Sequence, residues 1–159
     1  MKFYDPEVYQ PLCNNLFELY KCRIENILTS SKVEHIGSSS IPMAISKGDL
    51  DIFIGVDAIE FERSIELLKK IGFREVIDTL RTSELCMLES VRGDNVALQV
   101  VVNGSIYEFF LTFRDKLIAN PEIVKKYNHL KVCCKLLTSE EYRDKKSIFI
   151  ETVLSGGEV

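Results

Sequence analysis

The segment HIGSSSIPMAISKGDLDI, residues 35–52, decides the fold of this chain. An apolar run ends at a glycine and three serines, and a second apolar run begins beside two acidic residues. Small residues between two β-rich runs are typical of a turn that connects strands. The pattern predicts a strand, a small-residue turn, a short helix and a second strand, with the strands at 33–36 and 50–56.

The two acidic residues of this segment are Asp49 and Asp51. Residues two apart on a strand leave the same face, so both carboxylates can bind one hard cation or a cation pair. Leu50 and Ile52 then point to the opposite face, towards a core. Two solvated aspartates on an edge strand have the same spacing, so the pair alone leaves both interpretations open.

The turn before the acids carries a second candidate function. A glycine at position 37 lets the backbone approach a ligand, and the N–H and hydroxyl groups of Ser38 and Ser39 can bind phosphate oxygens. Serine-rich turns also occur for purely conformational reasons. Phosphate binding is therefore a hypothesis that needs support from elsewhere in the chain.

The rest of the chain has the periodicity of an α/β protein of the α+β type. A turn at 92–95 separates two β-rich runs and predicts an antiparallel hairpin. Helices are predicted at 6–28, 58–71, 105–119, 121–136 and 139–154, and further strands at 73–78, 83–91 and 95–102. We expect a mixed, twisted sheet of about five strands with flanking helices and a C-terminal helical cap.

Length and composition favour one domain over residues 1–159, with the sheet region at about 30–104 and the helical cap at 105–154. The net charge of −4 does not imply nucleic-acid binding. The acidic N-terminus and the lack of a long apolar run predict a cytoplasmic protein that neither enters the secretory pathway nor spans a membrane. The five cysteines are scattered, so we expect reduced thiols that mostly fill the core.

Gly-Ser followed about ten residues later by Asp-apolar-Asp resembles the signature of the nucleotidyltransferase superfamily of the polymerase β type. More closely, EHIGSSSIPMAISKGDLDI, residues 34–52, resembles the GrpB-like family within it. Residues 103–134 and 140–154 resemble the later helices of that family, with its Phe-Arg-Asp, Tyr-x-x-Leu-Lys and Tyr-x-x-x-Lys patterns. The resemblance therefore extends over most of the chain in the expected order.

This resemblance implies a nucleotidyltransferase fold, ATP or another nucleoside triphosphate as donor, and Mg²⁺ or Mn²⁺ as cofactor, with the acceptor undefined. It implies that Asp49 and Asp51 are catalytic and ligate the metal, and that Gly37 and Ser38 hold the triphosphate. Lys47 would pair with the acids or with phosphate.

Basic residues of the helical blocks complete the predicted anion site. Arg114, Lys131 and either Lys145 or Lys146 would meet the phosphates from the other side, because Arg binds phosphate in bidentate fashion and Lys acts as a point charge. The alternative is that these residues lie on solvated faces or in salt bridges. His35 is a further candidate, as a residue that orients a carboxylate or a phosphate.

The chain departs from the pattern at two positions. Active members of the superfamily carry a third carboxylate on a later strand. The corresponding position in this chain is best matched by Gln99, on the predicted strand 95–102. GrpB-like relatives often have histidine at that position. Glutamine offers a carbonyl oxygen but accepts no proton at neutral pH, so Glu84 or Glu89 would have to supply a third acid. The family's Pro-Gly is Pro42-Met43 here.

Three functions follow from these observations. The first is a metal-dependent transfer of a nucleotidyl group to a small molecule or a protein side chain. The second, favoured by Gln99, is a nucleotide-binding or regulatory module with little or no turnover. The third is an interaction protein that uses the apolar residues of 109–118 as a partner surface, although helical spacing makes these residues more typical of a core.

Overall fold

A computed structural model describes residues 1–159 and contains one five-stranded sheet with the strand order β1-β2-β5-β4-β3. Three α-helices follow the last strand and form the helical cap. The strands are β1 (Lys32–Ile36), β2 (Leu50–Val56), β3 (Phe73–Glu75), β4 (Leu85–Ser90) and β5 (Val96–Val102). The helices are α1 (Pro6–Ile27), α2 (Phe61–Lys70), α3 (Phe109–Ala119), α4 (Pro121–Cys133) and α5 (Ser139–Ser155).

The sheet is mixed, as the sequence predicted. Strands β2 and β5 are parallel, and every other neighbouring pair is antiparallel, including the predicted hairpin of β4 and β5. Asp51 lies opposite Ile36 on one side and Ala97 on the other, and Phe53 lies opposite Gln99. Because strand residues alternate between faces, Asp51 and Gln99 share one face while Leu50 and Ile52 point away.

The face that carries Leu50 and Ile52 packs against α1 and α2 and forms the main core. The buried stripe of α1 consists of Tyr9, Cys13, Phe17, Tyr20 and Ile24. The helical spacing of apolar residues in the sequence includes Ile24, which is buried, and also Val8, Leu12 and Leu19, which are exposed. The helix lies where the sequence predicted it, and its aromatic residues, which bury more area, occupy part of the face that meets the sheet.

The opposite face of the sheet is covered only in part. Phe53 and Val101 pack with Leu111 of α3 in a small cluster. Helices α3, α4 and α5 form a separate core that also encloses Ile41 and Ala44 from the segment between β1 and β2. The helical cap therefore packs on the serine-rich connection, beside the acid-bearing end of β2.

Several element ends differ from the sequence prediction. Residues 58–60 and 106–108 form 3-10 turns before α2 and α3, and β3 ends at Glu75. Asp5 occupies the N-cap of α1 without a side-chain hydrogen bond, whereas Thr138 and Glu141 form a complete capping box. Three of the five cysteines are buried, and all are free thiols. None of the helices is long and apolar enough to cross a membrane.

Candidate functional site

The turn after β1 lies directly against Asp51. Gly37 has φ 72° and ψ −176°, a conformation accessible in practice only to glycine. A Cβ atom at this position would stand 2.5 Å from Asp51 Oδ2. The glycine is thus required twice, by its backbone conformation and by the close approach of the carboxylate.

Side-chain hydrogen bonds hold the serine turn in place. His35 Nε2 and Ser39 Oγ are 2.7 Å apart, and Ser40 Oγ donates to the Gly37 carbonyl at 2.6 Å. Gln10 Nε2 of α1 donates to the carbonyl oxygens of Ser38 at 3.2 Å and Ile41 at 2.8 Å. The hydroxyl of Ser39 is therefore engaged within the turn and is not directed at a ligand.

The remainder of the connection is fastened to α4. Asn128 donates to the Met43 carbonyl at 2.8 Å and accepts from the Ile45 N–H at 3.0 Å. Met43 itself has φ 70°, in the left-handed region. This is the position at which the family pattern has glycine, so the methionine adopts the backbone conformation for which glycine is best suited.

These elements enclose a cleft of about 390 Å³ between the sheet face and the helical cap. The acid pair lies in it together with four basic side chains, Lys47, Lys131, Arg143 and Lys146. The remaining wall is largely aromatic and consists of Phe3, Phe109, Phe110, Phe113, Tyr127 and Tyr142. The chain has a net charge of −4, yet the formal charge of this cleft is positive.

Asp51 is the more enclosed acid, because its side chain is part-buried while Asp49 is exposed. Burial raises the pKa of Asp51 to about 6, the positive charge of Lys146 lowers it, and the Asp49 carboxylate raises it. Lys47 and Lys131 also lower the pKa of Asp51. Three lysine side chains from different parts of the chain thus lower the pKa of this one carboxylate.

Lys131 is 2% exposed and links α4 to the turn. Its Nζ donates to Ser38 Oγ at 2.7 Å and to the Ile45 carbonyl at 2.5 Å, and it stands 4.1 Å from the centroid of the Tyr127 ring. Burial, together with the charge of Lys146, lowers the pKa of Lys131 to about 6. The ammonium form therefore requires an additional negative charge in the cleft.

Lys146 reaches the cleft from α5. Its Nζ lies 6.0 Å from the Tyr142 ring centroid. Tyr127 raises the pKa of Lys146 above its ordinary value, and Tyr142 and Asp51 act in the same direction. Lys146 consequently carries a full positive charge at neutral pH.

Gln99 lies in the cleft on the strand next to the acid pair. The proposed substitutes for a third acid do not reach it. Glu89 is paired with Arg74 at 2.9 Å, and Glu84 is an exposed residue ahead of β4. Neither of them belongs to the cleft lining.

Arg114 is not brought to the cleft. Its guanidinium contacts Glu34 at 2.5 Å and Asp115 at 2.9 Å, and it donates to the His35 carbonyl at 3.0 Å. These contacts favour the alternative that Arg114 forms salt bridges instead of binding phosphate. Its side chain connects α3 to β1. His35 also lies outside the cleft lining, stacked on Phe17 at 4.8 Å, and acts on the turn through Ser39.

The cleft also contains residues that the sequence prediction left out or left undecided, above all Lys146, Arg143 and Tyr142. Residues four apart share one face of a helix, so the Tyr-x-x-x-Lys pattern of Tyr142 and Lys146 points both side chains the same way. Tyr127 and Lys131 repeat this spacing on α4. This repeated Tyr/Lys spacing is the sequence signal that could have identified Lys146, and not the exposed Lys145, as the lysine that lines the cleft.

The donor set suits a divalent cation of the Mg²⁺ or Mn²⁺ kind. Two carboxylates and the Gln99 carbonyl offer hard oxygen donors from neighbouring strands, as these ions prefer. Nowhere on the chain do three or more Asp, Glu, His or Cys side chains gather into a possible metal site. The residues present would offer a cation two carboxylates and one amide oxygen.

A mixed sheet with Asp-x-Asp on a strand beside a Gly-Ser turn defines a protein with the nucleotidyltransferase fold. The solved structures agree. The chain matches the Cid1 poly(U) polymerase with MgGTP bound with a TM-score of 0.52, at 13% identity over 77% of this chain and 41% of that one. It matches a conserved protein GrpB from Enterococcus faecalis with a TM-score of 0.72, at 20% identity over 96% and 99%.

Within that class the chain belongs to the GrpB protein family, whose model matches residues 7–155. A UPF0157 protein of Vibrio cholerae is 55% identical over 154 residues, covering 97% of this chain and 82% of the relative. A glutamate-rich protein GrpB of Alkalihalophilus pseudofirmus is 27% identical over 152 residues, covering 88% and 87%. The family expectation drawn from the sequence is confirmed.

Proposed function

We propose that this protein transfers a nucleotidyl group from a nucleoside triphosphate to the hydroxyl of a small molecule or a protein side chain, with the help of a divalent cation. The observation that carries this proposal is the contact between the Gly37-Ser38 turn and Asp51. A phosphate-sized anion at the Ser38 hydroxyl would lie beside both the Lys131 ammonium and the carboxylate pair.

The charges of the cleft are suited to this substrate. A triphosphate is strongly anionic, and Lys47, Lys131, Arg143 and Lys146 would meet it from three sides of the cleft. Bound phosphate would supply the negative charge that returns Lys131 to its ammonium form. The aromatic half of the cleft, including the stacked pair Phe109 and Phe110 at 4.3 Å, offers a surface for the base.

The transfer itself needs little covalent chemistry from the protein. The acceptor oxygen forms a bond to the α-phosphorus, and the bond from that phosphorus to the bridging oxygen breaks, so that pyrophosphate leaves with the electron pair. The cation, when bound by Asp49 and Asp51, neutralises charge on the phosphates. The hydroxyl proton passes to a carboxylate or to water, because Gln99 cannot accept it.

The test is calorimetric titration with ATP, GTP, CTP and UTP, each with and without Mg²⁺ or Mn²⁺. The Asp51→Asn variant keeps the side-chain shape and should lose cation-dependent binding, whereas Asp144→Asn, on the exposed surface of α5, should behave as wild type. Absence of nucleotide binding by the wild-type protein would exclude the proposed function.

A second candidate is a nucleotide-binding module without significant turnover, and Gln99 favours it. It predicts normal nucleotide binding and no transfer of label to an acceptor when α-labelled nucleotide is incubated with a fractionated small-molecule extract. Gln99→Asp would then raise turnover, since it supplies a third carboxylate on the strand adjacent to the acid pair.

A further inference from the structure

We infer that residues 1–5 form a strap that closes one side of the nucleotide cleft, and that Phe3 of this strap is a positioning residue for substrate binding. The inference rests on the proposed function, because it concerns how the same cleft holds a nucleoside triphosphate. The strap lies ahead of residues 7–155, the part of the chain that matches the GrpB family, so the family pattern assigns it no role.

The strap is fastened to the segment that leads into the acid pair. Tyr4 forms an antiparallel bridge with Ser46, in which the Tyr4 N–H donates to the Ser46 carbonyl at 2.7 Å and the Ser46 N–H donates to the Tyr4 carbonyl at 3.2 Å. The backbone nitrogen of Met1 donates to the Lys135 carbonyl, just after α4, at 3.2 Å. The strap thus connects the segment between β1 and β2 to the helical cap.

Phe3 is the residue of the strap that lines the cleft. Neighbouring side chains of an extended segment point in opposite directions, and Tyr4 accordingly lies outside the cleft lining, 36% exposed. The centroid of the Phe3 ring lies 6.1 Å from that of Tyr142. The Tyr142 ring is in turn faced by Lys47 Nζ at 5.6 Å and by Lys146 Nζ at 6.0 Å. Phe3 therefore supports the ring that two of the cleft lysines contact.

This arrangement acts on substrate binding in two ways. An aromatic face attracts an ammonium group, so a fixed Tyr142 ring holds both lysines where the phosphates of the proposed substrate would meet them. The apolar Phe3 ring also excludes water from its side of the cleft, which strengthens the attraction between the lysines and a bound phosphate. Two backbone hydrogen bonds pair the strap with Ser46, so the strap can open for exchange of the nucleotide while the sheet stays folded.

The first experiment repeats the calorimetric titrations with ATP, GTP, CTP and UTP, in the presence of Mg²⁺, on variants of the strap. Phe3→Ala should raise the Kd about three- to tenfold, because Tyr142 loses the ring that supports it and two cation–π contacts weaken. The factor should be the same for every nucleotide that binds, since the affected lysines meet the phosphates and not the base. Phe3→Tyr keeps a ring and should stay within about twofold of wild type. So should Lys2→Ala, an exposed neighbour outside the cleft lining.

The second experiment follows amide hydrogen exchange at Tyr4 and Ser46, the two donors of the bridge. These amides exchange when the strap opens locally, and nucleotide with Mg²⁺ should slow exchange at both by at least about threefold, because bound substrate favours the closed strap. A bridge that only stabilised the fold would give equal exchange with and without nucleotide.

Circular dichroism and the melting temperature verify that each variant is folded. Unchanged nucleotide affinity in Phe3→Ala would overturn the inference, as would a loss in Phe3→Tyr or Lys2→Ala as large as the loss in Phe3→Ala. Equal amide exchange at Tyr4 and Ser46 with and without nucleotide would overturn it as well. Absence of nucleotide binding by the wild-type protein would instead contradict the proposed function itself.

Discussion

Replacing Gly37 by alanine tests the geometry of the site most directly. The backbone at this position lies in a region populated almost only by glycine, which costs another residue about 1–3 kcal/mol. The added Cβ would also stand 2.5 Å from Asp51 Oδ2, so the carboxylate must rotate away or the turn must shift. Forcing the carboxylate off its rotamer adds about 1 kcal/mol, for a total of roughly 2–4 kcal/mol.

The matched control is Gly104→Ala. Gly104 also has a positive φ, 82°, but a Cβ there meets no atom within 4 Å. The free energy of unfolding of Gly104→Ala should therefore fall by only about 1–2 kcal/mol, the cost of the left-handed backbone conformation. Urea denaturation of both variants separates the cost of the backbone conformation from the cost of the steric clash with Asp51. At about 2–4 °C per kcal/mol for a chain of this size, the melting temperature of Gly37→Ala should fall by roughly 4–16 °C.

The functional consequence distinguishes the two variants more clearly. Gly37→Ala moves Asp51 and should weaken cation-dependent nucleotide binding at least about tenfold, corresponding to 1.4 kcal/mol or more. Gly104→Ala should bind as wild type. Equal stability of the two variants together with unchanged nucleotide affinity in Gly37→Ala would refute the close contact between the turn and the acid pair.

Three further predictions concern stability. Burial lowers the pKa of His35 to about 4, below its unfolded value of 6.5. Because the unfolded chain then binds a proton more readily than the folded one, the free energy of unfolding should fall by up to about 3 kcal/mol as the pH is lowered from 6.5 to about 4. His35→Gln should remove this slope from pH-dependent urea curves, and parallel curves would contradict the assignment. Burial lowers the pKa of Lys131 to about 6 against 10.5 unfolded, so the amine must lose its proton on folding at pH 7. Lys131→Met should therefore raise the free energy of unfolding at pH 7 by about 2 kcal/mol after the lost hydrogen bonds are allowed for, while weakening nucleotide binding. The difference in the free energy of unfolding between Lys131→Met and wild type should shrink as the pH rises towards 10.5. A variant less stable than wild type at pH 7 would refute the prediction. Met43→Gly should raise the melting temperature by about 1–3 °C, because Met43 is 44% exposed and has φ 70°; a lower value would contradict it.

The order of strands and helices could be predicted because it depends on local pattern. The alternation around Leu50 and the Arg92–Asn95 turn each fix one element within a few residues. The buried face of α1 does not follow from the sequence alone, since leucine residues and aromatic residues both recur at helical spacing on this helix. Only packing against the sheet decides between two such stripes.

The composition of the cleft depended on contacts between distant parts of the chain. Arg114 and Lys131 looked equivalent in the sequence, as basic residues on successive helices of the cap. The structure pairs Arg114 with Glu34 of β1 and directs Lys131 to Ser38, 93 residues away. The packing of the helices on the sheet determines that Arg114 contacts an acidic residue and that Lys131 contacts the turn.

The sequence by itself determined the Gly-Ser turn, the acid pair and the membership of the family, because each is a short run whose chemistry is contained in its own residues. The tertiary structure decided that Gly37 lies against Asp51, that Arg114 is withdrawn from the cleft, and that Lys146 lines the same cleft as the acids. These are contacts between segments far apart in the chain. Local propensity carries no information on them, and only the packing of the cap over the sheet determines them.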